Sequence, residues 1–277
     1  KATAADNYMF YRWVEEGTET VISYRHTYSY EGTEDKTLVA EFVEKDYPIM
    51  TRFYVTDLNQ QNRYLGSVSY TAGDNTETLF TCATQEELPF TEYKKLHTPQ
   101  VEGAVIDKTE NPILLEEGVE NFSMNFKQYN EDITYNNGYR DIVCEPEIVW
   151  SYQTLYIDWN NDKEFSGENE IYAAVGNNSG DNTFDDPDGN VTEGWDRTIT
   201  VPAETAPGTY RMRVVYMGPD PWSNDWPSKV FTEFYNEIRN GIAYDFEIAI
   251  SPASGIEGIA SGKVYYDAHA GLLISPN

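Results

Sequence analysis

The feature that most constrains this chain is a two-residue alternation of apolar and polar side chains, repeated in segment after segment. Tyr210, Met212, Val214 and Tyr216 alternate with Arg211, Arg213 and Val215, and Tyr244, Phe246, Ile248 and Ile250 alternate with Asp245 and Glu247. Phe122, Met124 and Phe126 share one face of a third segment, and Leu155, Ile157 and Trp159 one face of a fourth. A strand turns successive side chains to opposite faces, so such segments bury one face and wet the other. The predicted fold class is all-β, with two β-sandwich-like domains. If the last two strands pair, Arg211 and Arg213 face Asp245 and Glu247, and each cross-strand pair contributes about 0.2–1 kcal/mol.

The beginning of the chain reads the same way. Ile22, Tyr24, His26, Tyr28 and Tyr30 alternate onto one face, and further strands are expected over 38–43, 49–55, 64–70 and 78–82. Turn chemistry separates them at 31–35 and 72–75, and a single helical turn is expected over 85–88, before Pro89. The locally basic stretch Lys94, Lys95 and His97 ends at Pro99, which places a domain boundary there. The expected organisation is an N-terminal β domain over 1–97, a second sandwich over 98–252, and a linker with a short hairpin over 253–277.

Composition narrows the partners. Formal net charge is -28, a surface that repels nucleic acid and anionic lipid. No apolar run has the length of a membrane span, so no membrane insertion is expected. A dense carboxylate surface suits an extracellular, divalent-cation-rich setting, and suits equally a protein that simply stays soluble. The two cysteines, Cys82 and Cys144, have no zinc spacing and are expected as buried thiols rather than a bridge.

Three constellations offer chemistry. Asp158, Asn160, Asp162 and Glu164 place oxygens at alternate positions, with Glu168 and Glu170 just beyond. Calcium takes about six to eight oxygens, and a tight loop of this kind supplies several. It is not an EF-hand, because Lys163 stands where the invariant glycine belongs and the twelfth position is Asn169. The alternative is an Asx-turn loop, whose side chains accept backbone N–H groups and hold no metal. Asp181, Asp185, Asp186 and Asp188 form a second acidic run, read as a solvated loop. Trp222 and Trp226, flanked by Asp220 and Asp225, form the third. Ring faces that stack on sugar C–H groups, beside acids that accept hydroxyl hydrogens, make a glycan platform. The alternative is that the rings cover the sandwich edge.

Nothing points to catalysis. His26, His97 and His269 lie beside no nucleophile motif, and there is no G-x-S-x-G or H-E-x-x-H pattern. With 47 acidic residues, finding a carboxylate pair carries no information.

The segment over 101–250 resembles the GEVED domain, a β-sandwich module of secreted bacterial proteins. Ile157, Asp158, Asn160, Asp162 and Phe165 match its first motif, with Gly167-Glu168 following. Pro202, Gly208, Tyr210, Arg211, Met212 and Arg213 match its central strand. Gly241, Asp245 and Phe246 match the closing, name-giving motif, in which Ile242 and Tyr244 replace the two glutamates. The tail from Gly255 resembles the start of a type IX secretion sorting module of Bacteroidota, through Lys263-Val264-Tyr265 and Leu272-Leu273-Ile274. These resemblances imply a non-catalytic adhesion or binding module at the outer cell surface or outside the cell. A glycan or a host or cell-surface ligand would be its partner and Ca²⁺ its structural ion. The rival readings are the accessory region of a polysaccharide-degrading glycoside hydrolase, and a purely structural spacer.

Overall fold

The structure, a computed structural model, describes residues 2–3, 5, 8–23, 35–44, 46–53, 63–89, 101, 103–129, 131–136, 139–144, 151–177, 194–218, 234–239, 241–253, 264–267 and 271–274. Strands dominate them. Before residue 97 run β1 (Tyr8–Glu15), β2 (Val21–Ser23), β3 (Leu38–Glu44), β4 (Thr51–Phe53), β5 (Leu65–Ala72) and β6 (Asn75–Thr81). Then come β7 (Val105–Asp107), β8 (Ile113–Glu116), β9 (Asn121–Gln128), β10 (Ile133–Asn136), β11 (Asp141–Cys144), β12 (Ser151–Asp158) and β13 (Ile171–Asn177). The last are β14 (Gly194–Thr200), β15 (Gly208–Met217), β16 (Glu237–Arg239), β17 (Gly241–Ser251), β18 (Val264–Asp267) and β19 (Gly271–Ile274). The helical turn expected before Pro89 is a 3-10 turn over Gln85–Glu87. The expected C-terminal hairpin is the β18–β19 pair.

Two of the sheets form a sandwich. One has the order β13-β12-β15-β17-β7, with β8 also pairing β17. The other has the order β14-β9-β5-β6. Between them lies a single cluster that includes Leu155, Ile157, Tyr210, Met212, Val214, Ile242, Tyr244, Phe246 and Ile248 from the first sheet. Val68, Tyr70, Leu79, Phe122, Met124, Phe126, Trp195 and Ile199 come from the second. The alternation read from the sequence is thus the inward face of these strands.

Two sequence expectations change. The boundary expected at 97 does not separate one sheet from another. β5 pairs with β9, Tyr70 opposite Met124, and the segment over 65–81 contributes two of the four strands of one sandwich sheet. Alternation tells which face of a strand is apolar, but not which strand lies beside it. The central strands are also not half-wet. Tyr156, Val215, Met217 and Ala243, on the outward face of the six-stranded sheet, are buried beneath Met50, Phe165, Ile238, Phe234 and Tyr235. β4 and β16, paired in parallel with Thr51 opposite Glu237, carry this second covering layer. Sheets covered on both faces need apolar residues on both.

Burial leaves the tyrosines a measurable signature. Tyr156, 1% exposed, has its hydroxyl pKa pushed up to about 12 by burial. Tyr244 is raised as well, again mainly by burial, although its hydroxyl accepts the Leu65 N–H at 3.1 Å. These raised groups keep their protons in the folded protein while the unfolded chain loses them. Stability is therefore fully present below pH 10, the ordinary tyrosine value, and is lost as pH rises through the folded value. For Tyr156 alone, a rise of two units amounts to about 3 kcal/mol. Absorbance of tyrosinate is expected to rise between pH 10 and about 12 together with loss of the folded far-ultraviolet signal. Smooth titration of every tyrosine near pH 10 with the fold intact would contradict this burial.

Candidate functional site

The strongest sequence candidate, the loop from Asp158 to Glu170, joins β12 to β13 across one end of the six-stranded sheet. Asp158 is the last residue of β12 and is fully buried. Its carboxylate accepts the backbone N–H of Asp162 at 3.2 Å and of Lys163 at 3.0 Å, and the Tyr47 hydroxyl at 2.9 Å. The Asn160 side-chain oxygen accepts the Asp162 N–H at 2.9 Å, and the Asp162 carboxylate accepts the Glu164 N–H at 2.8 Å. Each side chain thus accepts the amide two residues on or further, as in Asx turns.

Glu170 holds the other half of the loop. It is 1% exposed, and its two oxygens accept four backbone N–H groups: Trp159 at 3.1 Å, Asn160 at 3.3 Å, Ser166 at 3.1 Å and Gly167 at 2.6 Å. Burial pushes its carboxyl above the ordinary range, the Gly167 and Asn160 amides pull it back, and the charges of Asp158 and Asp162 push it up again. Asn161, Lys163 and Asn169 take the left-handed backbone conformation, with φ of 57°, 63° and 65°. The glycine of the resembling motif belongs at Lys163, where its freedom of φ would remove a cost of about 1–2 kcal/mol.

The expected calcium ligands therefore divide. Asp158, Asn160 and Asp162 do come together, but their oxygens face amide hydrogens. Glu164 and Glu168 are exposed on the outside of the loop. No three acidic, histidine or cysteine side chains among the described residues are grouped to share a metal ion. N–H dipoles converging on Asp158 and Glu170 make a surrounding suited to negative charge. This geometry is that of the Asx-turn alternative.

Behind the loop lies a charged cluster that ties the chain's early segment to the sandwich. β15 pairs with β17 in the register that sets Arg213 opposite Asp245 and Arg211 opposite Glu247. Arg213 grips Asp245 with two bonds, Nε to Oδ1 at 2.6 Å and Nη2 to Oδ2 at 2.8 Å, and Arg211 adds a third at 2.9 Å. The remaining Nη1 of Arg213 donates to the carbonyl oxygen of Pro48. The Arg213 guanidinium also lies 5.3 Å from the centre of the Phe165 ring, and that of Arg211 lies 4.6 Å from the centre of the Tyr47 ring. Arg213 and Asp245 are each 3% exposed, so the pair is a buried bidentate bridge rather than a surface pair of small effect. Tyr47 closes the circuit. Its hydroxyl reaches Asp158, its ring stacks on Phe165, and burial with the Asp158 charge raises its pKa.

Residues 152–248 match the GEVED domain. The match covers most of β12 and β17 and all of β13, β14, β15 and β16, so it takes in both the self-bracing loop and the Arg213–Asp245 bridge. Its closing motif has a steric explanation here. A Cβ added at Gly241 would meet the carbonyl oxygen of Tyr216, and Met217 Cα at 2.5 Å. Ile242 and Tyr244, at the motif's two glutamate positions, are buried in the sandwich core. No curated protein and no solved structure matches the chain.

The remaining candidates, Trp222 and Trp226 with Asp220 and Asp225, and the acidic run at Asp181, Asp185, Asp186 and Asp188, lie outside the described residues. Sequence reasoning did not single out Tyr47 as a partner of Asp158. The two are 111 residues apart, and no local pattern joins them. Glu170, just beyond the oxygen-rich run, is buried at the residue before β13, and its neighbours in sequence do not announce that burial.

Proposed function

We propose that this chain is a non-catalytic binding or adhesion module of a secreted or surface-exposed bacterial protein, with a glycan as the ligand class. What supports the reading is the use to which the buried acids of the GEVED match are put. Asp158, Glu170 and Asp245 each accept three or four hydrogen bonds from the protein itself. Acids so occupied brace the sandwich and are not poised to transfer protons. Recognition then falls to the connections between strands, where a rigid sandwich carries its variable chemistry. Of these, the connection between β15 and β16 holds Trp222 and Trp226 beside Asp220 and Asp225, the residue types that stack on and hydrogen-bond to sugars.

A glycan array followed by a hydrolysis assay on each bound glycan tests the proposal. Retention of a defined glycan without turnover is the expected result, and Trp222→Ala is expected to weaken it at least tenfold at unchanged melting temperature. Release of reducing ends from the bound glycan would overturn the non-catalytic reading. Absence of any bound glycan would overturn the ligand class and favour a spacer.

A further inference from the structure

At one end of the sandwich core, four buried side chains with polar atoms come from the two sheets. Gln153 on β12 stands directly opposite Tyr216 on β15, on the face shared with Leu155 and Ile157. The Tyr216 hydroxyl crosses to the other sheet and donates to Oε1 of Gln128, at the end of β9. The Tyr216 ring packs edge-on against Trp195 of β14, with centroids 5.0 Å apart. All four are 0–3% exposed.

Their polar atoms do not satisfy one another. Both amide atoms of Gln153, Nε2 of Gln128 and Nε1 of Trp195 are buried without a hydrogen-bond partner on the protein. Three of these four atoms are donors, and Gln153 Oε1 is the one acceptor. Turning the Gln153 amide over exchanges its ends and leaves that surplus unchanged. Gln128 has already committed its oxygen to Tyr216. Natural interiors rarely leave such groups orphaned, because an amide taken out of water with nothing to pair with is costly.

We propose that Gln128, Gln153 and Trp195 form an internal hydration site, holding ordered water between the two sheets. Water fits the donor surplus, because one molecule accepts two hydrogen bonds while donating one to Gln153 Oε1. A buried water needs two to four polar partners, and the four orphaned atoms supply that number.

Two measurements test this. Water magnetic relaxation dispersion on the intact chain is expected to show long-lived internal water, and Gln153→Leu, which removes two of the four polar atoms, is expected to lower that count by about one. A high-resolution crystal structure is expected to place solvent within hydrogen-bonding distance of the Gln153 amide and of Gln128 Nε2 or Trp195 Nε1. A relaxation signal unchanged in a folded Gln153→Leu protein would overturn the proposal. So would a crystal structure in which protein groups alone occupy those positions, and this second test stands whether or not the variant folds.

Discussion

Replacing Asp245 by alanine will lower the stability of the protein by about 3–5 kcal/mol, among the largest losses a single side chain here can produce. The cost comes from what remains. Arg213, whose side chain is 3% exposed, would keep its charge in the interior beside the Pro48 carbonyl and the Phe165 ring, without its bidentate anion. Arg211 would lose the same anion. Equilibrium unfolding in urea, read as a fall in the midpoint at unchanged slope, measures the effect. The paired replacement Arg213→Met with Asp245→Leu should lose far less, because it removes both charges together. A loss below about 1 kcal/mol in Asp245→Ala would move the bridge into the class of surface pairs and remove it from the account of the fold.

Glu170→Ala is expected to cost about 3 kcal/mol. Four backbone N–H groups lose their acceptor at once, and each unsatisfied amide costs about 1–3 kcal/mol where water cannot replace the carboxylate. Water reaching the exposed side of the loop keeps the sum well below the full total. Glu168→Ala, an exposed neighbour, should stay within about 0.5 kcal/mol. If amides rather than an ion hold the loop, chelation with EDTA leaves the melting temperature where it was, and added Ca²⁺ does not raise it. A fall in melting temperature with EDTA that Ca²⁺ restores would show that an ion stabilises the native state.

The all-β architecture was legible because periodicity two is written locally. Tyr210 to Tyr216 and Tyr244 to Ile250 declare their inward face without reference to the rest of the chain. The pairing of Arg213 with Asp245 was foreseen for the same reason, but its depth was not. What makes it a buried bridge is the covering layer of Tyr47, Pro48 and Met50, which arrives from 165 residues away along the chain. The oxygen-rich loop was legible as a loop and ambiguous in its chemistry. Alternating Asp and Asn side chains serve an ion or their own backbone equally well, and only the placement of the N–H groups distinguishes the two. Partner choice between strands, as of β5 with β9, is set by packing across the whole sandwich, so the boundary at 97 marks a change in composition and not in architecture.

The covering layer of β4 and β16 bears on how the protein can be handled. A recombinant fragment trimmed to the GEVED match would discard β5, β6 and β9, and with them most of the facing sheet. It would also leave Tyr156, Phe165 and Val215 without Tyr47 and Met50 above them. Such a fragment presents oily surface on both sides of its remaining sheet, and its failure to stay in solution would reflect where the scissors fell rather than any weakness of the native chain.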